Sequence, residues 1–277
     1  MKYVAFLDIL GFKEKLKELD HNGISEYISD FSSVVYNEWE NSEYKKLQGY
    51  IVSDSFVINS TDASEESLEE LLGLVKRICE QEFAKNGILL RGGIAKGDFD
   101  KLEAKELSTL RKGLIVGQAY VDAYLLEGSA KLIGISLSKE VYEDVNNIGQ
   151  FCSDLFKETL DGSSIYVFRY LTIDFLLNRE NLKKFVKLAT GANWKPHYYN
   201  AIYFAFRKES RENTVGLIFS NIIEEIKKNS PNNNWRKIDD FIKGAFAHGV
   251  IPEFQMRFLK YIRASLNDCF ALTNGKS

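Results

Sequence analysis

The spacing of apolar and polar positions divides the chain into two unlike parts. Tyr3–Leu10 is a short apolar run that holds one acid, Asp8, and closes at Gly11. That is the pattern of a buried strand carrying a carboxylate. From Phe12 to Trp39 the spacing is helical, with Ile24, Tyr27, Ile28, Phe31, Val34 and Val35 on one face and a break expected near Asn22-Gly23. Lys46–Ser60 reads as two strands meeting at Ser53-Asp54-Ser55, a hairpin signal. Ser64 and Ser67 open a helix that runs to about Lys85 and stops at Asn86-Gly87. Ile88–Ala95 is a further strand, interrupted by Gly92-Gly93, a pair that admits close approach of another backbone or a ligand.

Beyond it, Lys96–Lys112 is polar and charged, as in a loop or flap. Leu114–Val116 reads as a short strand, Gly117–Glu127 as a helix, Ile133–Leu137 as a strand with a helix after it, and Ser164–Leu171 as the last strand. Strand signals then nearly vanish. Asp174–Thr190, Tyr198–Glu209, Val215–Lys228, Trp235–His248 and Glu253–Phe270 all have helical periodicity, separated by Gly, Pro, Asn and Ser breaks. The expectation is an α+β sheet domain over residues 1–171 and a helical region over 172–277, with the boundary near 170–175. The aromatic-rich stretch Tyr198, Tyr199, Tyr203, Phe204 and Phe206 suits a packed core, and equally a surface that packs on the sheet domain or dimerises it.

Composition narrows the class. A chain of 277 residues with 45% apolar side chains can bury a sizeable core, and two domains fit its length. The net charge is −3 and no long basic run occurs, which argues against a nucleic-acid duplex as partner while leaving nucleotides open. Cys79, Cys152 and Cys269 are far apart and odd in number, and His21, His197 and His248 show no metal-binding spacing. No signal-peptide pattern and no membrane-length apolar run is present, so the expected location is the cytoplasm.

Two acids stand out. Asp8 sits within an apolar strand, where a carboxylate is costly unless paired or metal-bound. Asp54 sits at a hairpin between serines. If the two strands are neighbours, their carboxylates converge on one pair of cations. The competing reading makes Asp54 a turn residue and Asp8 a strand-end cap.

The order of these features resembles the catalytic domain of class III nucleotidyl cyclases, over about residues 3–170. Asp8-Ile9-Leu10-Gly11-Phe12 is similar to that family's Asp-Ile-x-Gly-Phe metal motif, and Asp54 falls where its second metal aspartate follows, with Ser53-Asp54 in place of Gly-Asp. Arg91-Gly92-Gly93-Ile94 resembles the Arg-x-Gly-Ile strand, whose arginine contacts the triphosphate. Gly117–Glu127 resembles the Gly-x-x-Val-Asn-x-Ala-x-Arg-Leu-Glu helix.

The resemblance implies a ferredoxin-like, palm-type sheet and two Mg²⁺ or Mn²⁺ ions per site held by Asp8, Asp54 and the Ile9 carbonyl. Gly11 and Phe12 would line the substrate site, and Arg91 would neutralise phosphate charge. The 3′-hydroxyl of a nucleoside triphosphate would attack the α-phosphate and release pyrophosphate. Sites in this family lie between subunits, so a single motif set implies a homodimer.

Several positions depart from the purine-specific pattern. The base-reading positions are Tyr50 and Leu114, where purine cyclases carry a polar or charged residue and often Asp or Cys. A tyrosine fills volume and suits a single-ring base, which resembles the pyrimidine cyclases of anti-phage defence that make cyclic UMP or cyclic CMP. Its other reading is a cover for the sheet edge. Val121 and Leu125 replace the family's Asn and Arg, and Asp161-Gly162-Ser163-Ser164 stands where a Lys-Gly-Lys-Gly turn is usual. Lys96 is a candidate substitute cation, or simply a solvated lysine. The rival functions are an ATP or GTP cyclase, a nucleotide-sensing module without turnover, and a polymerase-type palm.

Overall fold

A computed structural model describes residues 1–41, 44–102, 114–129, 131–191, 195–207, 212–229, 232 and 234–274. The chain divides into two compact units, Met1–Tyr170 and Leu171–Ser277.

The first unit is a mixed α+β domain built on a seven-stranded sheet. Its strands are β1 (Lys2–Ile9), β2 (Leu47–Val52), β3 (Ser55–Ser60), β4 (Leu90–Gly97), β7 (Ile135–Leu137), β8 (Leu155–Leu160) and β9 (Ser163–Phe168). They lie in the order β2-β3-β1-β4-β7-β9-β8. All neighbours are antiparallel except β4 and β7, which are joined through helix α4 (Gln118–Ser129). A separate two-stranded sheet pairs β5 (Asp100–Leu102) with β6 (Leu114–Val116), so the Leu114 strand stands outside the main sheet. The charged stretch 103–113 lies outside the described residues.

Strand β1 is central and covered on both faces, which is why it reads as an almost unbroken apolar run. Helix α3 (Glu65–Asn86) buries Leu68, Leu71, Leu72, Val75, Ile78, Cys79 and Phe83, starts at Ser64 and ends at the left-handed Gly87, as its caps predict. The helical stretch after β1 breaks at Leu19-Asp20 rather than at Asn22-Gly23. Asp20 caps the second helix by accepting from the Gly23 amide at 2.8 Å, so the glycine falls inside the first turn. The helices are α1 (Phe12–Glu18) and α2 (His21–Glu40).

Strand β8 is absent from the sequence reading. It forms a hairpin with β9 through Asp161 (φ 50°) and Gly162 (φ 81°), the left-handed pair that a two-residue turn favours. Helix α5 (Lys139–Ile148) begins at Ser138, which caps the Val141 amide.

The second unit contains α6 (Ile173–Leu177), α7 (Arg179–Gly191), α8 (Lys195–Phe206), α9 (Glu212–Asn229), α10 (Asn234–Gly244) and α11 (Pro252–Asn274). The expected first helix is split at Asn178, whose side chain accepts from the Glu180 and Asn181 amides and so starts a new helix. Tyr198, Tyr199, Tyr203, Phe204 and Phe206 are all buried; Phe206 packs on Phe219 and Phe254, and Tyr199 on Phe254. The buried amide of Asn200 is satisfied at both ends, by the Gly249 carbonyl and the Ile251 amide, each at 2.9 Å. No helix among the described residues is long and apolar enough to cross a membrane.

Candidate active site

Register places the chemistry. On β1, Asp8 pairs with Ser55 of β3 on one side and with Arg91 of β4 on the other. Cross-strand partners share a face, so Ser55, Asp8 and Arg91 form one row across three strands. Asp54 occupies the turn just before Ser55, and its carbonyl accepts from the Ile9 amide at 3.2 Å, which ties the hairpin tip to the end of β1. Ser53, the other turn residue, takes a left-handed φ of 58°, a conformation that glycine adopts more readily.

Asp8 is half-buried and fully engaged. Its Oδ1 accepts from Ser55 Oγ at 3.3 Å, and its Oδ2 from Arg91 Nη2 at 3.2 Å. Arg91 is also ion-paired through Nε with Glu127 of α4. Burial raises the Asp8 pKa, opposed by the Arg91 guanidinium and helped by the neighbouring charge of Asp54. Glu127 is raised for the same first reason, again against Arg91. The row is therefore short of positive charge for the carboxylates it gathers.

That imbalance suits a divalent cation. Asp8 and Asp54 supply hard oxygen donors, and a cation between them would relieve both the desolvation of Asp8 and its repulsion from Asp54. Among the described residues no three His, Cys, Asp or Glu side chains converge on one point. Two carboxylates and the Ile9 region of the backbone could hold such a cation and would leave coordination positions for water and phosphate oxygens, as Mg²⁺ prefers.

Helix α4 closes on this face of the sheet because β4 makes room for it. A Cβ on Gly93 would lie 2.1 Å from the Ala123 carbonyl oxygen. Gly93 therefore serves helix packing, whereas a Cβ on Gly92 would meet the Phe6 carbonyl and the Leu7 side chain of β1; Ala119 and Ala123 are fully buried against the strands. Phe6 meets Tyr120 and Tyr124 edge-on, at ring separations of 6.2 and 5.2 Å.

Gly11 sits at φ 81° and leads the chain from β1 into α1, whose first residue, Phe12, is buried and stacked on Tyr27 at 6.2 Å. Tyr27 in turn lies near enough to Asp54 and Glu82 for their charges to add to the burial that raises its pKa.

Tyr50 of β2 pairs with Val57, which pairs with Phe6. This row is two residues along from Asp8 and on the same face, about 7 Å farther down the strands. Tyr50 is half-buried against Val57 and Phe6, and Lys101 Nζ lies 5.0 Å from its ring centre. Leu114 pairs with Leu102 in the small sheet, and its side chain lies outside the described residues.

Lys96 stands apart. It is five residues from Arg91 on β4, about 16 Å along the strand and on the opposite face. There it binds Asp144 at 2.9 Å and Glu140 at 3.4 Å and lies over the Tyr3 ring. Odd spacing from Arg91 is the signal that separates it from the site.

The structure thus brings together Asp8, Ile9, Asp54 and Arg91, puts Gly11 and Phe12 directly behind them and Tyr50 farther along the same face, and leaves Lys96 out. Ser55 and Glu127 join the group although the sequence reading gave neither a role.

No family model and no curated protein matches the chain in sequence. Solved structures similar to it are adenylyl and guanylyl cyclase domains. The dimeric guanylyl cyclase domain of the RhoGC fusion protein from the aquatic fungus Blastocladiella emersonii matches with a TM-score of 0.45 at 15% identity, covering 61% of this chain and 93% of that one. The adenylyl cyclase CyaB from P. aeruginosa gives 0.40 at 17%, over 60% of this chain and 92% of that one. The guanylate cyclase domain of RhGC from Catenaria anguillulae, solved in complex with GTP, gives 0.42 at 12%, over 61% and 96%.

Proposed function

We propose that this protein is a nucleotidyl cyclase that converts UTP or CTP into the 3′,5′-cyclic monophosphate and pyrophosphate. The observation that carries the proposal is the row Ser55–Asp8–Arg91, with Asp54 at its edge: two carboxylates and a guanidinium on one face of a sheet. Asp8 and Asp54 would hold Mg²⁺ or Mn²⁺ with the Ile9 carbonyl. Such ions supply charge that lowers the pKa of the attacking 3′-hydroxyl and stabilises the phosphate in flight. Arg91 presents a planar set of donors to the phosphates and needs only to exchange one carboxylate partner to do so. Phe12, fixed by Tyr27, keeps the loop after Asp8 in place.

The pyrimidine preference rests on Tyr50. Its half-buried ring, backed by Val57 and Phe6, takes space that a two-ring base would need and presents no amide or carboxylate to a purine edge. A messenger role in defence against phage follows from the sequence resemblance alone.

The homodimer has physical support in α4. Val121, Tyr124 and Leu125 are 45, 54 and 63% exposed and lie one turn apart on the helix, an apolar strip that a second copy would cover. Val121 and Leu125 also favour a second reading. They stand where related cyclases carry polar groups for the ribose and the transition state, so a nucleotide-sensing module without turnover fits them as well.

Purified protein incubated with each of the four ribonucleoside triphosphates and Mn²⁺, with products separated by chromatography, tests these readings. Cyclic UMP or cyclic CMP is expected, and none from Asp54→Ala. Consumption of ATP or GTP alone would refute the Tyr50 argument. Binding without product would leave the sensing module, and oligonucleotide products would point to a polymerase-type palm.

A further inference from the structure

We infer that Glu127 is a positioning residue for Arg91: it holds the guanidinium by its Nε edge so that the Nη edge stays turned toward Asp8, where a substrate phosphate takes the place of the Asp8 carboxylate. The inference rests on the cyclase reading above and assigns the end of α4 a part in it.

Arg91 is a long side chain whose planar fork has to be aimed before it can meet phosphate oxygens. Two carboxylates grip it from two elements. Asp8 comes from the adjoining strand and meets Nη2 at 3.2 Å, while Glu127 comes from α4 and meets Nε. The three side chains are only 10–18% exposed, so water competes weakly for the guanidinium.

The two acids are not equivalent. Asp8 shares its surroundings with Asp54 and is a cation donor, so its hold on Nη2 weakens once its charge is shared. Glu127 reaches Arg91 from α4 and meets its Nε, apart from the Nη2 that Asp8 holds. Its place is set by packing, because α4 reaches Arg91 only where Gly93 lets the Ala123 backbone touch β4. Without Glu127 on Nε, the guanidinium would be free to turn toward Asp8 and compete there with the cation.

The test measures binding of 3′-deoxynucleoside triphosphates, which lack the attacking hydroxyl, to the full chain in Mn²⁺. The triphosphate that binds the unmodified protein best is then used throughout. Glu127→Gln keeps the volume and removes the charge, and is expected to weaken binding roughly tenfold, the scale of one charged hydrogen bond. Glu127→Asp should recover part of the loss. In an Arg91→Ala background the same Glu127→Gln change should not weaken binding, since there is no guanidinium left to aim.

Equal weakening in both backgrounds would assign Glu127 a merely structural role and overturn the inference. So would Arg91→Ala weakening binding while Glu127→Gln does not. Failure of the unmodified protein to bind any of the four would bring down the cyclase reading together with this one. Should Glu127→Gln melt early, the comparison of Glu127→Asp in the two backgrounds decides the matter.

Discussion

Glu82 gives the most quantitative test of the fold around the site. It lies on α3, fully buried, with Oε2 accepting from Asn86 Nδ2 at 3.1 Å and Oε1 without a hydrogen-bond partner among the described residues. Burial raises its pKa from 4.5 to about 8, with Asn86 and Lys85 pulling down and Asp30 adding to the rise. The folded protein therefore holds a proton between pH 4.5 and 8 that the unfolded chain has released. Stability should fall as pH rises through this window and level off above it. Moving from 4.5 to about 8 at 1.36 kcal/mol per pH unit makes this loss about 4–5 kcal/mol at most.

Glu82→Gln should remove that slope. The amide leaves its own N–H groups poorly matched at the Oε1 position, a cost of about 1–3 kcal/mol. The variant is thus expected to be less stable than the parent near pH 5 and more stable by about 2 kcal/mol at pH 8.5. Urea unfolding at several pH values, read by hydrogen exchange of α3 and β4 amides, follows the sheet unit itself. Parallel stability curves for parent and variant would show that Glu82 is ionised in the fold and sink the argument. Asp8, Glu80 and Glu127 are raised by burial too, so a shallower slope of the same sign should persist in the variant.

Three further outcomes follow from the geometry. Gly93→Ala places a methyl against the Ala123 backbone, which cannot yield as a side chain would, so it should cost about 3 kcal/mol and lower the melting temperature. An unchanged melting temperature would mean that α4 does not lie on β4 as described. Ser53→Gly relieves a left-handed serine and should stabilise the sheet unit by about 0.5–1 kcal/mol in urea titration, whereas a loss of stability would mean that the hydroxyl is needed at the turn. Leu125→Glu puts a charge on the exposed strip of α4; light scattering after gel filtration should show monomers, with the far-UV spectrum unchanged and turnover lost. A dimer that survives this change uses another surface.

What the sequence made legible, and what it hid, follows from the range of each interaction. Caps and turns are local, so Ser64, Gly87 and the Ser53-Asp54 hairpin could be read directly. The β8 strand, Phe-Lys-Glu-Thr between Leu155 and Leu160, has one exposed edge and too few apolar residues to signal itself, although Asp161-Gly162 marked its turn. The break before α2 was legible but displaced by a few residues, because the cap is Asp20, which accepts from the Gly23 amide and so places the glycine inside the helix. Arg91 was legible as a cation near the acids, but not as the shared partner of Asp8 and Glu127. That pairing joins residues 83 and 36 positions apart and depends on where α4 comes to rest.

The site owes its coherence to register. A β-strand sends alternate side chains to opposite faces, so a one-residue slip of β1 against β3 and β4 would carry Asp8 away from Ser55, Arg91 and the helix above them. Two features oppose such a slip. The face that carries Asp8 also carries Val4 and Phe6 under α4, while Tyr3, Ala5 and Leu7 fill the other face, so a slip would repack both at once. The Gly93 position admits the Ala123 backbone at only one place along β4. The contact that seats the helix is therefore also the one that lines up Glu127, Arg91 and Asp8. This is why a change at Gly93, which carries no side chain, is expected to disturb the chemistry of a carboxylate on the neighbouring strand.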